Sequence, residues 1–184
     1  METTWNVQLI RCRRKSVGIR IDGTGEIIVR APLRMPETEI RKVLESKRSW
    51  IEKTLQKVKT RAQEPKLTRA EVDALADQAL KVIPPKVAER ARQIGVTFGR
   101  ITIRNQKTRW GSCSAQGNLN FNCLLMLCPE DVIDYVIVHE LCHRKELNHS
   151  PRFWAEVEKV LPDYKKPLKW LKNEGQAVIA KINS

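Results

Sequence analysis

The segment Val136–Ser150, VIVHELCHRKELNHS, contains all three histidines of the 184-residue chain: His139, His143 and His149. His139 and His143 bracket an HExxH motif, and their spacing puts both on one face of a helix. Two imidazole nitrogens so placed converge on one zinc ion at about 2.0–2.1 Å. Glu140 is turned by about 100° from His139, badly placed to ligate the same ion and well placed to reach a water beside it. Zinc lowers the pKa of such a water to about 7, and a neighbouring carboxylate can take its proton and return it to a leaving group. The pattern therefore predicts His139 and His143 as metal ligands and Glu140 as the acid–base group.

A catalytic zinc keeps three protein ligands and one open position. His149 is the expected third. Pro151 opens the next helix, so the chain must turn after His143, and Asn148 suits a turn because Asn tolerates left-handed backbone angles. The competing third ligands are Glu156 and Glu158 on the following helix; imidazole suits zinc well, which favours His149. A closed, structural site needs a fourth ligand. Cys142 is the nearest thiol, but it projects to the side opposite Glu140 and is expected to pack as a small apolar residue. Five residues separate His143 from His149, as in metzincins. Glu146 stands where those enzymes carry Gly, however, and Met1, Met35 and Met126 all precede the site, so no downstream Met-turn exists.

The elements that must position these residues are legible from apolar spacing. Pro129 opens the helix EDVIDYVIVHELCH, which is apolar nearly all round and so must be buried on most faces. Phe153, Trp154, Val157, Val160 and Leu161 give the helix after Pro151 an apolar side. A last short helix is expected around Trp170 and Leu171. Upstream, Ile101–Arg104 reads as a strand, and RWGSCS and NLNFNCLL read as a hairpin across Ala115–Asn118. Thr68 and Glu71 form a capping box for a helix ended by Gly95, which Pro84–Pro85 should interrupt. Near the N-terminus, VQLIRCRR, VGIRID and IIVRAP read as sequentially paired strands with a turn at Asp22–Glu26. A helix follows Pro36 with Trp50 as a packing anchor. The polar stretch Arg61–Arg69 is the linker candidate, dividing an N-terminal basic β/α module (1–66) from a metallohydrolase domain (67–184).

Hydrophobic residues make up 41% and charged residues 30% of the chain, which is globular and not disordered composition. No apolar run is long enough to span a bilayer, and the first residues lack a signal-peptide core. Five cysteines, odd in number and without a CxxC pair, suit free thiols. The expected location is cytoplasmic. The net charge is +13, and residues 1–66 carry 16 Lys/Arg against 8 Asp/Glu. Such a surface attracts nucleic acid, nucleotides or acidic proteins. No recognition-helix or base-stacking motif accompanies it.

Several segments together resemble the YgjP-like metal-dependent hydrolases, relatives of the SprT-like zinc proteases. They are VRAP (Val29–Pro32), SKRSWIEK (Ser46–Lys53), RWGSCS (Arg109–Ser114), LNFN (Leu119–Asn122), VIVHELCH, NHSPRFW (Asn148–Trp154) and PDYK (Pro162–Lys165). The resemblance implies an α+β fold: a zincin-like catalytic half with a small antiparallel sheet beside the HExxH helix, preceded by a β-hairpin/helix module. It implies Zn2+ on His139, His143 and His149, and acid–base work by Glu140. SprT-like relatives carry a similar His-small-x-x-aromatic signature at their third ligand, which favours His149 over Glu156.

The expected activity is zinc-dependent peptide-bond hydrolysis on a peptide or protein substrate. One alternative, also implied by the resemblance, is a pyrophosphatase acting on nucleoside triphosphates such as UTP. Arg109, Arg144, Lys145 and Arg152 lie near the site in sequence and could face phosphates, although no GxxxxGK[ST] loop is present. Another alternative is a basic nucleic-acid-associated module bearing a zincin-like domain. A peptidase wants an exposed strand edge to align an extended substrate, and Arg109–Ser114 is the candidate. Arg109 is the candidate substrate-binding residue, with a structural ion pair as its competing role. Tyr164 could donate to an oxyanion, though packing is the simpler role.

Overall fold

In the computed structural model, which describes residues 5–63 and 65–182, the chain divides into two compact units, residues 1–64 and 65–184. The first unit has strands β1 (Val7–Cys12), β2 (Gly18–Ile21) and β3 (Ile27–Pro32) and helices α1 (Glu37–Ser46) and α2 (Arg48–Gln63). Strand β3 is central: Ile27, Val29 and Ala31 alternate onto its buried face and pack with Ile40 and Ile51 from the helices. The β2–β3 hairpin forms at the expected turn, where Asp22 Oδ1 accepts from the Thr24 and Glu26 amides at 2.9 and 3.0 Å. Strand β1 does not pair with β2. It lies parallel to β3, with Val7 opposite Ile27, so that β3 is hydrogen-bonded along both of its edges. Trp50 is 47% exposed and does not anchor the core. Helix α2 carries the first part of the polar Arg61–Arg69 stretch; Glu64 within that stretch lies outside the described residues.

The second unit contains α3 (Arg69–Ile94), β4 (Ile101–Arg104), β5 (Gly111–Cys113), β6 (Leu119–Asn122), a 3-10 segment (Cys123–Leu127), α4 (Glu130–Cys142), α5 (Pro151–Val160) and α6 (Lys165–Ile179). The Thr68–Glu71 capping box and the left-handed Gly95 cap (φ 75°) bound α3 as expected. Pro84 and Pro85 do not interrupt it. Each forfeits a helical hydrogen bond, but Ala79, Ile83, Val87, Ala91 and Ile94 form one buried stripe across the prolines. Burying that stripe holds the helix continuous. Lys86 reaches Glu130 and Asp134 at 2.7 and 3.1 Å, and Arg90 pairs with Asp134, clamping α3 to α4.

The fold class is α+β. The sheet of this unit has strand order β4-β6-β5 and is mixed, not wholly antiparallel: β4 runs parallel to β6, and β5 antiparallel. Leu119 and Phe121 of β6 are fully buried in the same core as Ile137, Val138 and Leu141 of α4. Strand β5 is left on the sheet edge, packed beside α4.

Candidate metal centre

Helix α4 ends at Cys142, and His143 caps it with helical angles (φ −63°, ψ −13°), so His139 and His143 keep helical spacing. The amides of Arg144, Lys145 and Glu146 then fold back onto the carbonyls of Leu141 and Cys142. Asn148 Oδ1 accepts from the Ser150 amide at 3.2 Å, and Ser150 Oγ accepts from the Phe153 amide at 3.4 Å, capping α5. Asn148 therefore turns the chain with its side chain and not with left-handed angles; among the described residues, positive φ occurs only at glycines. His149 is held between that turn and that cap.

The geometry brings the three histidines together. Their ligand atoms all lie within 4.8 Å of one another, and the Nε2 atoms of His139 and His149 are 3.0 Å apart. Tetrahedral zinc bound at about 2.0–2.1 Å needs nitrogens about 3.4 Å apart, so the donor set fits. His143 Nδ1 lies 3.1 Å from the Glu146 carbonyl. A carbonyl only accepts, so Nδ1 carries the proton and Nε2 keeps its lone pair for a metal. The Tyr135 hydroxyl lies 3.4 Å from His139 Nδ1 and can orient that ring in the same way. Burial, with His143 and His149 adding to it, lowers the His139 pKa to about 3; burial also lowers that of His143. Both rings are thereby kept neutral, the form that binds metal.

Phe153, fully buried, lies under all three imidazoles at centroid distances of 4.8, 4.6 and 4.8 Å. Glu140 is 6% exposed, and burial pushes its pKa up to about 8 against the opposing charge of Arg109. It faces a cavity of about 330 Å³ walled by Trp110, Tyr135, Val136, Leu168 and Leu171, with Arg109 and Lys172 also lining it. Gly111 of edge strand β5 lies directly against the Glu140 side chain.

The remaining candidates are placed elsewhere. Glu156 pairs with Lys145 at 2.9 Å and with Lys159, and Glu158 is exposed; neither joins the histidine cluster. Cys142 is fully buried in the core, and burial pushes its thiol pKa up to about 12. Arg144 donates to the Thr97 and Ala115 carbonyls at 3.1 and 2.9 Å. Tyr164 is buried and stacks on Trp154 at 5.3 Å. Arg109 is exposed at the cavity edge and Arg152 is exposed on α5.

Three supporting residues were not anticipated. Tyr135 precedes His139 by one helical turn on the same face, which its spacing could have shown. The placing of Phe153 under the imidazoles needs the α4–α5 packing. Asn122, fully buried at the end of β6, donates to the Gln106 and Arg109 carbonyls at 2.7 and 2.9 Å and accepts from the Leu124 amide at 3.1 Å. It ties the loop bearing Arg109 and Trp110 to the sheet; its only signal was a polar residue closing an apolar strand.

The metallopeptidase zymogen abylysin of Pyrococcus abyssi is 25% identical over 50% of this chain and 96% of its own, with a TM-score of 0.45. The metallopeptidase zymogen jannalysin of Methanocaldococcus jannaschii is 24% identical over 49% of this chain and 94% of its own, with a TM-score of 0.44. No curated protein matches the chain. The family model described as YgjP-like, metallopeptidase domain, matches residues 15–75 and 61–174. With matches in both compact units, the chain belongs to the YgjP-like metallopeptidase family.

Proposed function

We propose that this chain is a zinc-dependent peptidase in which His139, His143 and His149 hold the ion and Glu140 moves the proton. Zinc, when bound, supplies a Lewis acid that lowers the pKa of water to about 7. The Glu140 carboxylate takes the proton of the attacking water and returns it to the departing amine. Its burial favours the protonated form at the end of that transfer. Tyr135 and the Glu146 carbonyl hold His139 and His143 in the ligating tautomer.

The observation that carries the peptide reading is edge strand β5 lying against Glu140. An extended substrate can add to that edge by main-chain hydrogen bonds and pass the carboxylate. Polyphosphate would instead require several free cations; Arg144 and Lys145 are engaged with carbonyls and with Glu156, which leaves Arg109 and Lys172 at the cavity. Zinc-reconstituted and metal-free protein should be offered unfolded casein and, in parallel, the four common nucleoside triphosphates. Zinc-dependent casein cleavage with no pyrophosphate release is expected; the reverse pattern would overturn the peptide reading.

A further inference from the structure

Gly111 is the second residue of the segment Trp110–Cys113 that brings β5 past α4, and it pairs with fully buried Phe121 of β6. A Cβ built on Gly111 would lie 2.7 Å from both Cγ and Oε1 of Glu140 and 3.0 Å from its Cδ. Ordinary van der Waals contact begins near 3.4 Å. The strand cannot retreat without breaking its pairing to β6, and α4 cannot retreat because it is buried on its other faces. An added methyl must therefore be absorbed by the Glu140 side chain. Other crowded glycines, such as Gly18 and Gly117, meet the guanidinium groups of Arg14 and Arg144, which lie outside the metal cluster.

From this contact we infer that Gly111 is a positioning residue: the missing Cβ in edge strand β5 is the space that sets the Glu140 carboxylate beside the metal cluster. The same strand that would align a substrate backbone thus sets the group that moves the proton, so the two keep one register. This rests on the reading of Glu140 proposed above. Restoring contact from 2.7 to 3.4 Å displaces the side chain by about 0.7 Å. A misplacement of about 1 Å in a reacting group can cost about 10²-fold in rate.

The test has two arms. In zinc-loaded protein, Gly111→Ala should lower kcat on unfolded casein by about 10²-fold, with KM and zinc content within about twofold of wild type. Gly23→Ala, where an added Cβ meets nothing within 4 Å, is the matched control. The second arm needs no activity: a urea-unfolding cycle of Gly111→Ala with Glu140→Ala. The midpoint shift caused by Gly111→Ala should shrink when the Glu140 side chain is gone, since the clash goes with it. Additive midpoint shifts, or unchanged kcat in Gly111→Ala, would overturn the inference. Absence of casein cleavage by the wild type counts instead against the peptidase reading.

Discussion

Replacing Phe153 with Ala tests whether the metal centre is built on a rigid aromatic floor. The ring is fully buried, lies within 4.8 Å of each imidazole, and also meets Trp154 at 5.2 Å. Burying a phenyl ring and then leaving a cavity accounts for a loss of about 3–5 kcal/mol on truncation. For a chain of this size that is a fall in Tm of about 6–20 °C. The loss should appear in the metal-free protein, where the ring packs against all three imidazoles with no ion between them. Saturating zinc should stabilise each folded protein, by about 4 kcal/mol when free metal is a thousandfold above that protein's Kd. The assay is urea unfolding followed by circular dichroism, with and without zinc, for wild type, Phe153→Ala and Phe153→Leu. The leucine variant should fall between the other two. A loss below about 1 kcal/mol in Phe153→Ala would refute the reasoning, because the imidazoles would then be supported by something other than this ring.

Other outcomes follow from the same geometry. His149→Ala should lower zinc affinity sharply, whereas Glu156→Ala should leave it unchanged because Glu156 is engaged by Lys145 and Lys159; metal titration of both variants checks this. In the metal-free protein His139 should also carry an acid-sensitive share of the stability. Burial lowers the His139 pKa in the folded chain to about 3, well below the ordinary imidazole value of 6.5. At His139 the unfolded chain therefore binds the extra proton first, so this group's contribution to stability is complete above pH 6.5 and falls as pH drops toward 3, while the raised pKa of Glu140 acts in the opposite direction between pH 8 and 4.5. Urea titrations should show that His139→Gln loses less stability than wild type between pH 7 and pH 4.

The site was more legible in the sequence than the sheets around it. Spacing alone aligned His139 with His143, and the local signals at Thr68, Glu71, Gly95 and Pro151 marked helix ends because they act over short range. The pairings of β1 with β3 and of β4 with β6 join strands across an intervening strand. No turn motif encodes such a parallel match, so sequential pairing was the wrong expectation. Pro84 and Pro85 misled for the opposite reason: a strong local signal was overridden by the buried stripe on either side. Asn148 turned the chain as expected but by a side-chain hydrogen bond, which residue type could not distinguish from a left-handed turn.

The central claim, that three histidines hold the metal while Glu140 moves the proton, is tested most directly by one comparison. Wild type and Glu140→Gln would be purified with zinc, and zinc per chain and casein cleavage measured on the same samples. Equal zinc, one ion per chain, is expected, with cleavage reduced by about 10²–10⁴-fold in Glu140→Gln, the usual contribution of a positioned acid–base group. Equal cleavage by both proteins, or loss of zinc with the single amide substitution, would contradict it.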